Sequence, residues 1–120
     1  NELPQPLLAR YTQIDYAREL TLVATTLQEG GLVMLGEANY SILSDGKTCE
    51  FALVVADHMA GKGLGARLMT CLMEAARLQG LTRIQGEVLV DNESMLGLMN
   101  ALDFDIYLTD EGLSEVSHPL

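Results

Sequence analysis

The stretch VVADHMAGKGLGARLMTCLMEAARLQG, residues 54–80, decides the fold of this chain. An apolar run, Leu53-Val54-Val55, gives way to a loop with glycine at Gly61, Gly63 and Gly65. Beyond it Leu64, Leu68, Met69, Leu72, Met73 and Ala76 recur at spacings of three and four. That period predicts an amphipathic helix from Leu64 to Leu78, closed by Gly80. Alternate glycines between a strand and a helix permit positive φ and let a ligand approach a backbone that has no Cβ. Their N–H groups sit where the helix macrodipole carries about half a positive charge, and Lys62 and Arg67 flank them. The ligand expected there is a phosphate or pyrophosphate.

Spacing excludes two common phosphate loops. A P-loop ends in Gly-Lys-Ser/Thr, and here Gly61-Lys62 is followed by Gly63, which has no hydroxyl for magnesium. The segment GKGLGA also lacks the G-x-G-x-x-G of a dinucleotide fold.

Working outward, LLARYTQ reads as a first strand, and IDYAREL offers Asp15 as the N-cap of a short helical turn. TLVATTLQ meets Glu29-Gly30-Gly31, a hairpin turn into LVMLGEANYSIL. Ser44-Asp45-Gly46-Lys47 is a second turn, leading into the strand CEFALVVA. Downstream, RIQGEVLV is a strand, NESMLGLMNAL a helix capped by Asn92 or Asp91, and FDIYLTD a late strand. Three or four strands, a helix, a strand, a helix and a strand imply an α/β (α+β) domain. Its strand–helix–strand unit makes a right-handed crossover, and its hairpins are antiparallel.

Composition bounds the rest. At 120 residues and 48% hydrophobic, the chain reads as one domain spanning 1–120, able to bury roughly two-thirds of its unfolded surface. Cys49 and Cys71 lie in apolar segments and form neither a disulfide framework nor a metal-ligand spacing, so both read as buried thiols of a reducing compartment and no metal is expected. No stretch reaches the ~20 apolar residues of a membrane span, and the expected location is cytoplasmic. The net charge of −10 argues against nucleic acid or an anionic membrane as partner and favours a cationic one. Four of the seven cations, Lys62, Arg67, Arg77 and Arg83, cluster around the glycine loop and its helix.

The loop Ala60-Gly61-Lys62-Gly63-Leu64-Gly65 resembles the acetyl-CoA pyrophosphate loop of the GNAT N-acetyltransferase superfamily, Gln/Arg-x-x-Gly-x-Gly/Ala. So do its neighbours: the strand before it, the helix Ala66 to Gln79, and GEVLVDNESMLGLMNALDF, which is similar to the family's strand, asparagine, helix and Leu-Gly-Phe ending. The resemblance covers roughly residues 31–107. It implies a mixed, mostly antiparallel twisted sheet with helices on both faces and a splayed central strand pair. Within the superfamily, ARYTQIDYAREL with CEFALVVAD resembles the acetyltransferase domain of bacterial protein lysine acetyltransferases. In large members that domain follows an acyl-CoA-synthetase-like region, which would account for a chain opening at Asn1 on NELPQPLL.

The resemblance implies an acetyl-CoA-dependent N-acetyltransferase with direct transfer to an amine, a protein lysine being the preferred acceptor. A small-molecule amine acetyltransferase and a catalytically silent acyl-CoA-binding module are the alternatives. Backbone groups of Leu53, Val54 and Val55 would hold the pantetheine arm and donate to the oxyanion. Gly61, Lys62, Gly63, Leu64, Gly65, Ala66 and Arg67 would bind the pyrophosphate, and Asn92 the pantetheine or acyl region, although an N-cap explains Asn92 equally well. Glu50 resembles the catalytic glutamate of lysine-directed members. Glu87 resembles the base proposed for members that acetylate protein N-termini. His58 is expected to be exposed, and Met69, Met73, Met95 and Met99 to be core. Three positions depart from the family pattern. Ala60 replaces Gln or Arg, Met99 stands where many members carry a thiolate-protonating tyrosine, and Asp103 replaces a left-handed glycine.

Overall fold

The computed structural model describes the backbone of Leu7–Arg10 and, with their side chains, residues 18–109 and 111–120. Among the described residues seven strands form one sheet: β1 (Leu7–Arg10), β2 (Glu19–Gln28), β3 (Gly31–Ile42), β4 (Thr48–Val55), β5 (Arg83–Leu89), β6 (Asp105–Leu108) and β7 (Leu113–Pro119). The helices among the described residues are α1 (Leu64–Leu78) and α2 (Glu93–Ala101), and a 3-10 turn, Asp57–Met59, precedes the glycine loop. Spatial order is β1-β2-β3-β4-β5-β7-β6. Every pairing is antiparallel except that of β4 with β5, joined through α1. Of the helical turn expected in IDYAREL, residues 14–17 lie outside the described residues, while Glu19 and Leu20 are not helical and open strand β2.

Local chemistry fixes the hairpins. Gly30 and Gly31 take φ of 95° and 124° at the β2–β3 turn, a conformation costly for any other residue. At the β3–β4 turn the Asp45 carboxylate accepts from the N–H groups of Lys47 and Thr48, each at 2.9 Å, and from the Thr48 hydroxyl at 2.7 Å. These bonds hold its pKa below the ordinary carboxylate value, the Lys47 N–H contributing most.

Helix α1 buries the expected stripe, Leu64, Leu68, Met69, Leu72, Met73 and Ala76, against the middle of the sheet. It lies close because Gly36 has no side chain: a Cβ there would stand 3.0 Å from Leu68 Cδ1 and 3.1 Å from the Val54 carbonyl oxygen. The buried Tyr40 donates its hydroxyl to Gln79 Oε1 just past the end of α1, tying helix to strand. Gly86 makes similar room on β5, since a Cβ would come within 2.6 Å of the Phe51 ring, which packs edge-on against Phe104.

One element departs from the sequence reading. After FDIYLTD the chain turns at Gly112 (φ 78°) and returns as β7, which inserts between β5 and β6. The sequence LSEVSHP is polar at most positions, and its buried residues are Ser114 and Val116. A buried serine breaks the apolar alternation by which a strand is recognised.

Candidate active-site cleft

The decisive feature is a fork. Strands β4 and β5 pair only at Thr48–Arg83, Cys49–Ile84 and Glu50–Gln85, although β4 continues to Val55 and β5 to Leu89. On its other edge β4 stays paired with β3 over its length. The Ala56 N–H donates to the Leu35 carbonyl and the Leu43 N–H to the Thr48 carbonyl, both at 2.8 Å, so even-numbered residues of β4 direct their polar backbone groups to β3. Odd-numbered residues of an antiparallel strand then direct theirs the other way. At Leu53 and Val55 those groups meet the gap that β5 has left. Val54 differs from its expected role: its N–H and carbonyl point to β3, and only its side chain lines the opening.

The gap opens into a cleft of about 600 Å³ lined by Leu53, Val54, Val55, the loop residues Gly61, Gly63, Leu64, Gly65 and Ala66, and Asn92, Ser94 and Leu98 of the α2 end. Gly61 and Gly63 adopt φ of 75° and 86°, with Gly63 as the N-cap of α1. The first hydrogen bond of the helix runs from the Arg67 N–H to the Gly63 carbonyl at 3.1 Å. The N–H groups of Gly63, Leu64, Gly65 and Ala66 therefore have no acceptor among the described residues, and no side chain caps them. Four unused donors at a positive helix end have the chemistry to receive an anion. A Cβ on Gly61 or Gly63 would meet nothing within 4 Å, so the space above the loop is open. Lys62 and Arg67 are exposed beside it. Gly65 serves packing: its absent Cβ leaves room for Leu98 Cδ2, 3.1 Å away, where α1 and α2 meet.

Asn92 is both cleft wall and cap. Its Oδ1 accepts from the Met95 N–H at 3.1 Å, which leaves its Nδ2 as donor. Ser94, a hydroxyl in the first turn of α2, also lines the cleft and was not anticipated from the sequence; its position two residues after Asn92 was the available signal.

Glu50 and Glu87 are brought together, though not in the larger cleft. Both are exposed and line a depression of about 200 Å³ with Arg83, Gln85, Tyr107, Glu115 and Ser117. Glu50 belongs to the last paired rung of the fork, opposite Gln85, whereas Glu87 lies two residues past it, opposite Glu115 of β7. Arg83 Nη2 donates to Ser117 Oγ at 2.8 Å. Glu115 escaped the sequence reading because its strand did.

The remaining expectations divide. Met69, Met73 and Met99 are buried and Met95 half-buried, while His58 is exposed. Asp103 takes φ 66°, the left-handed conformation expected of a residue standing in for glycine. Cys49 is fully buried, and desolvation pushes its thiol up to about 11. Cys71 is only half-buried, less than expected.

Residues 2–104 match the acetyltransferase (GNAT) family. Acetyltransferase PA5475 of Pseudomonas aeruginosa is 30% identical over 99% of this chain. The L-methionine sulfoximine/L-methionine sulfone acetyltransferase of Pseudomonas paraeruginosa is 30% identical over 88%. The chain spans 64% of the length of each of these relatives. Among solved structures, the GNAT domain of S. lividans PAT superposes with a TM-score of 0.80 at 22% identity, covering 92% of this chain and 65% of its own. The yncA protein of Salmonella typhimurium, determined with acetyl-CoA, superposes at 0.72 with 23% identity, covering 88% and 66%. A forked strand pair ending in a glycine-lined helix start, with the match over residues 2–104, places this chain in the GNAT family of acetyltransferases.

Proposed function

We propose that this domain transfers the acetyl group of acetyl-CoA directly to an amine, and that the acceptor is a lysine side chain of a protein. The observation that carries the reading is the continuity of the cleft. Unused backbone groups at Leu53 and Val55 lead into four unused N–H donors from Gly63 to Ala66, the pattern a pantetheine arm followed by a pyrophosphate would fill. Lys62 and Arg67 would add charge at the pyrophosphate, and the Asn92 amide would donate to the arm.

Attack needs a neutral amine, a polarised thioester carbonyl and a departing thiolate. The N–H of Leu53 or Val55 would polarise the carbonyl. Glu50, at the crotch of the fork, would take the ammonium proton directly or through water. Glu87 is the runner-up, one step further along the neighbouring strand. Met99 offers no proton, so the thiolate would be protonated by water. The depression around Glu50, Glu87 and Glu115 is small and carboxylate-rich, which suits a single cationic side chain. Cytoplasmic location fits such a role; among the described residues no helix is long and apolar enough to cross a membrane.

The test is release of CoA from acetyl-CoA with and without a lysine-rich acceptor protein, followed by intact mass of that acceptor. Acceptor-dependent release with a gain of about 42 Da per acetyl group supports the reading. A second reading, a small amino-acid-like acceptor, draws on the substrate named for the methionine sulfoximine relative. Turnover with free amino acids and none with protein would establish that instead. Tight acetyl-CoA binding with no turnover on either class would make the domain a silent binding module.

A further inference from the structure

The β2–β3 hairpin carries an exposed apolar surface that a register shift enlarges. Simple alternation along β3 would put Leu32 and Met34 with Gly36, Ala38 and Tyr40 on the face that α1 covers. The pairing shifts between Ala24 and Thr25, however, whose partners are Gly36 and Met34. The extra residue, Leu35, is fully buried. Beyond this bulge Leu32 pairs with Leu27 and Met34 with Thr25, on the face of the sheet that also presents Glu37, Val54 and Glu50. Leu27, Leu32 and Met34 are 74%, 66% and 56% exposed. Among the described residues β1 pairs with β2 as far as Thr25 and β4 with β3 as far as Gly36, so the hairpin extends past both described neighbours.

Leu32 and Met34, turned to this face by the bulge, join Leu27, which faces it by ordinary alternation, and the three large apolar side chains are a candidate interaction surface. Its rim is acidic: Glu29 lies at the turn and Glu37 below it, and neither β2 nor β3 contains a lysine or arginine. The complementary surface is therefore apolar with a basic rim. Met34 lies seven residues along β3 from Ser41, the partner of Glu50, but one of them is the bulge: their partners on β2, Thr25 and Glu19, are six residues apart, or about 20 Å at 3.3 Å per residue.

We propose that the hairpin tip docks the protein whose lysine is acetylated, by an apolar anchor set in a basic segment about six extended residues from that lysine. The inference rests on the protein-lysine reading above and adds to it the kind of sequence such an acceptor carries.

Three capped acceptors test it with acetyl-CoA: Nα-acetyl-lysine amide, an arginine-rich peptide with two leucines about six residues from its one lysine, and the same peptide with serines for those leucines. The leucine peptide is expected to exceed the serine peptide by about tenfold in kcat/KM. In Leu27→Ser/Met34→Ser that advantage disappears while the amide is unaffected. Leu32→Thr, which keeps a strand-favouring residue, should show the same loss in part and guards against misfolding of the double variant. Equal use of both peptides by the wild type, or an advantage that survives in the variants, overturns the docking site while leaving lysine acetylation intact. Acetylation of the amide and of neither peptide overturns both. A dimer in sedimentation that the variants dissolve, with kcat/KM unchanged, assigns the tip to a second copy of this chain and overturns the proposal.

Discussion

Gly63 and Gly86 are both indispensable glycines, for opposite reasons. At Gly63 a Cβ has space, but φ is 86°. Gly63→Ala is expected to cost about 1 kcal/mol of stability and to weaken CoA binding at least about tenfold, read by thermal melting and calorimetric titration. At Gly86 the obstacle is the Phe51 ring, 2.6 Å from the missing Cβ. Gly86→Ala should cost about 1–3 kcal/mol through overpacking and leave CoA affinity alone. Asn92 has two duties, and substitution separates them: Asn92→Ala loses the cap, about 1 kcal/mol, whereas Asn92→Ser keeps it. A raised KM for acetyl-CoA in both variants would assign the amide to the cofactor. Cys49 supplies a pH signature. Its thiol rises from an ordinary value of 9.0 to about 11 because burial disfavours the thiolate. A raised acid stabilises the fold fully below its unfolded value, so stability should fall as pH climbs from about 9 toward 11. Chemical denaturation across that window checks the slope, which should flatten in Cys49→Val.

The fork makes β4 asymmetric, and proline reveals which edge matters. A proline at Val54 removes a donor from the β3 ladder and should cost about 3 kcal/mol or more. A proline at Val55 removes an N–H that faces the cleft, so the protein should fold and bind CoA while kcat falls by about tenfold or more; a kcat unchanged in Val55→Pro would remove that N–H from the chemistry. The glycine loop, α1 and both hairpin turns were legible in the sequence because each is written in local terms: positive-φ residues, a period of three and four, turn dipeptides. The fork was legible only by resemblance, since where two parallel strands part is a tertiary matter. Strand β7 was invisible because Ser114 and Val116 gain their burial from β5 and β6, not from any pattern of their own. Glu115 vanished from the carboxylate set with it. The bulge at Leu35 was hidden too, since Leu32-Val33-Met34-Leu35 is an unbroken apolar run in which no alternation marks the extra residue.

At the scale of the whole molecule two electrostatic effects compete over acetyl-CoA. The net charge of −10 repels an anion, but it is spread over a body of 43 × 33 × 21 Å. Screening acts over about 8–10 Å at physiological salt. Lys62, Arg67 and the loop N–H groups act at contact and should prevail. Raising salt from about 0.05 to 0.5 M should therefore reduce kcat/KM for a basic acceptor several-fold while changing that for an uncharged amine little. An equal response for both would remove the acidic surface from acceptor choice. The placement of β7 between β5 and β6 bears on biogenesis. On the ribosome β5 emerges some thirty residues ahead of the strand that fills its open edge, Arg83 being the partner of Pro119. The β2–β3 hairpin can close at once, whereas the second half of the sheet waits with an unpaired strand exposed, and such long-range pairings form slowly. Nascent chains stalled before Leu113 should be the ones that chaperones hold and proteases cut.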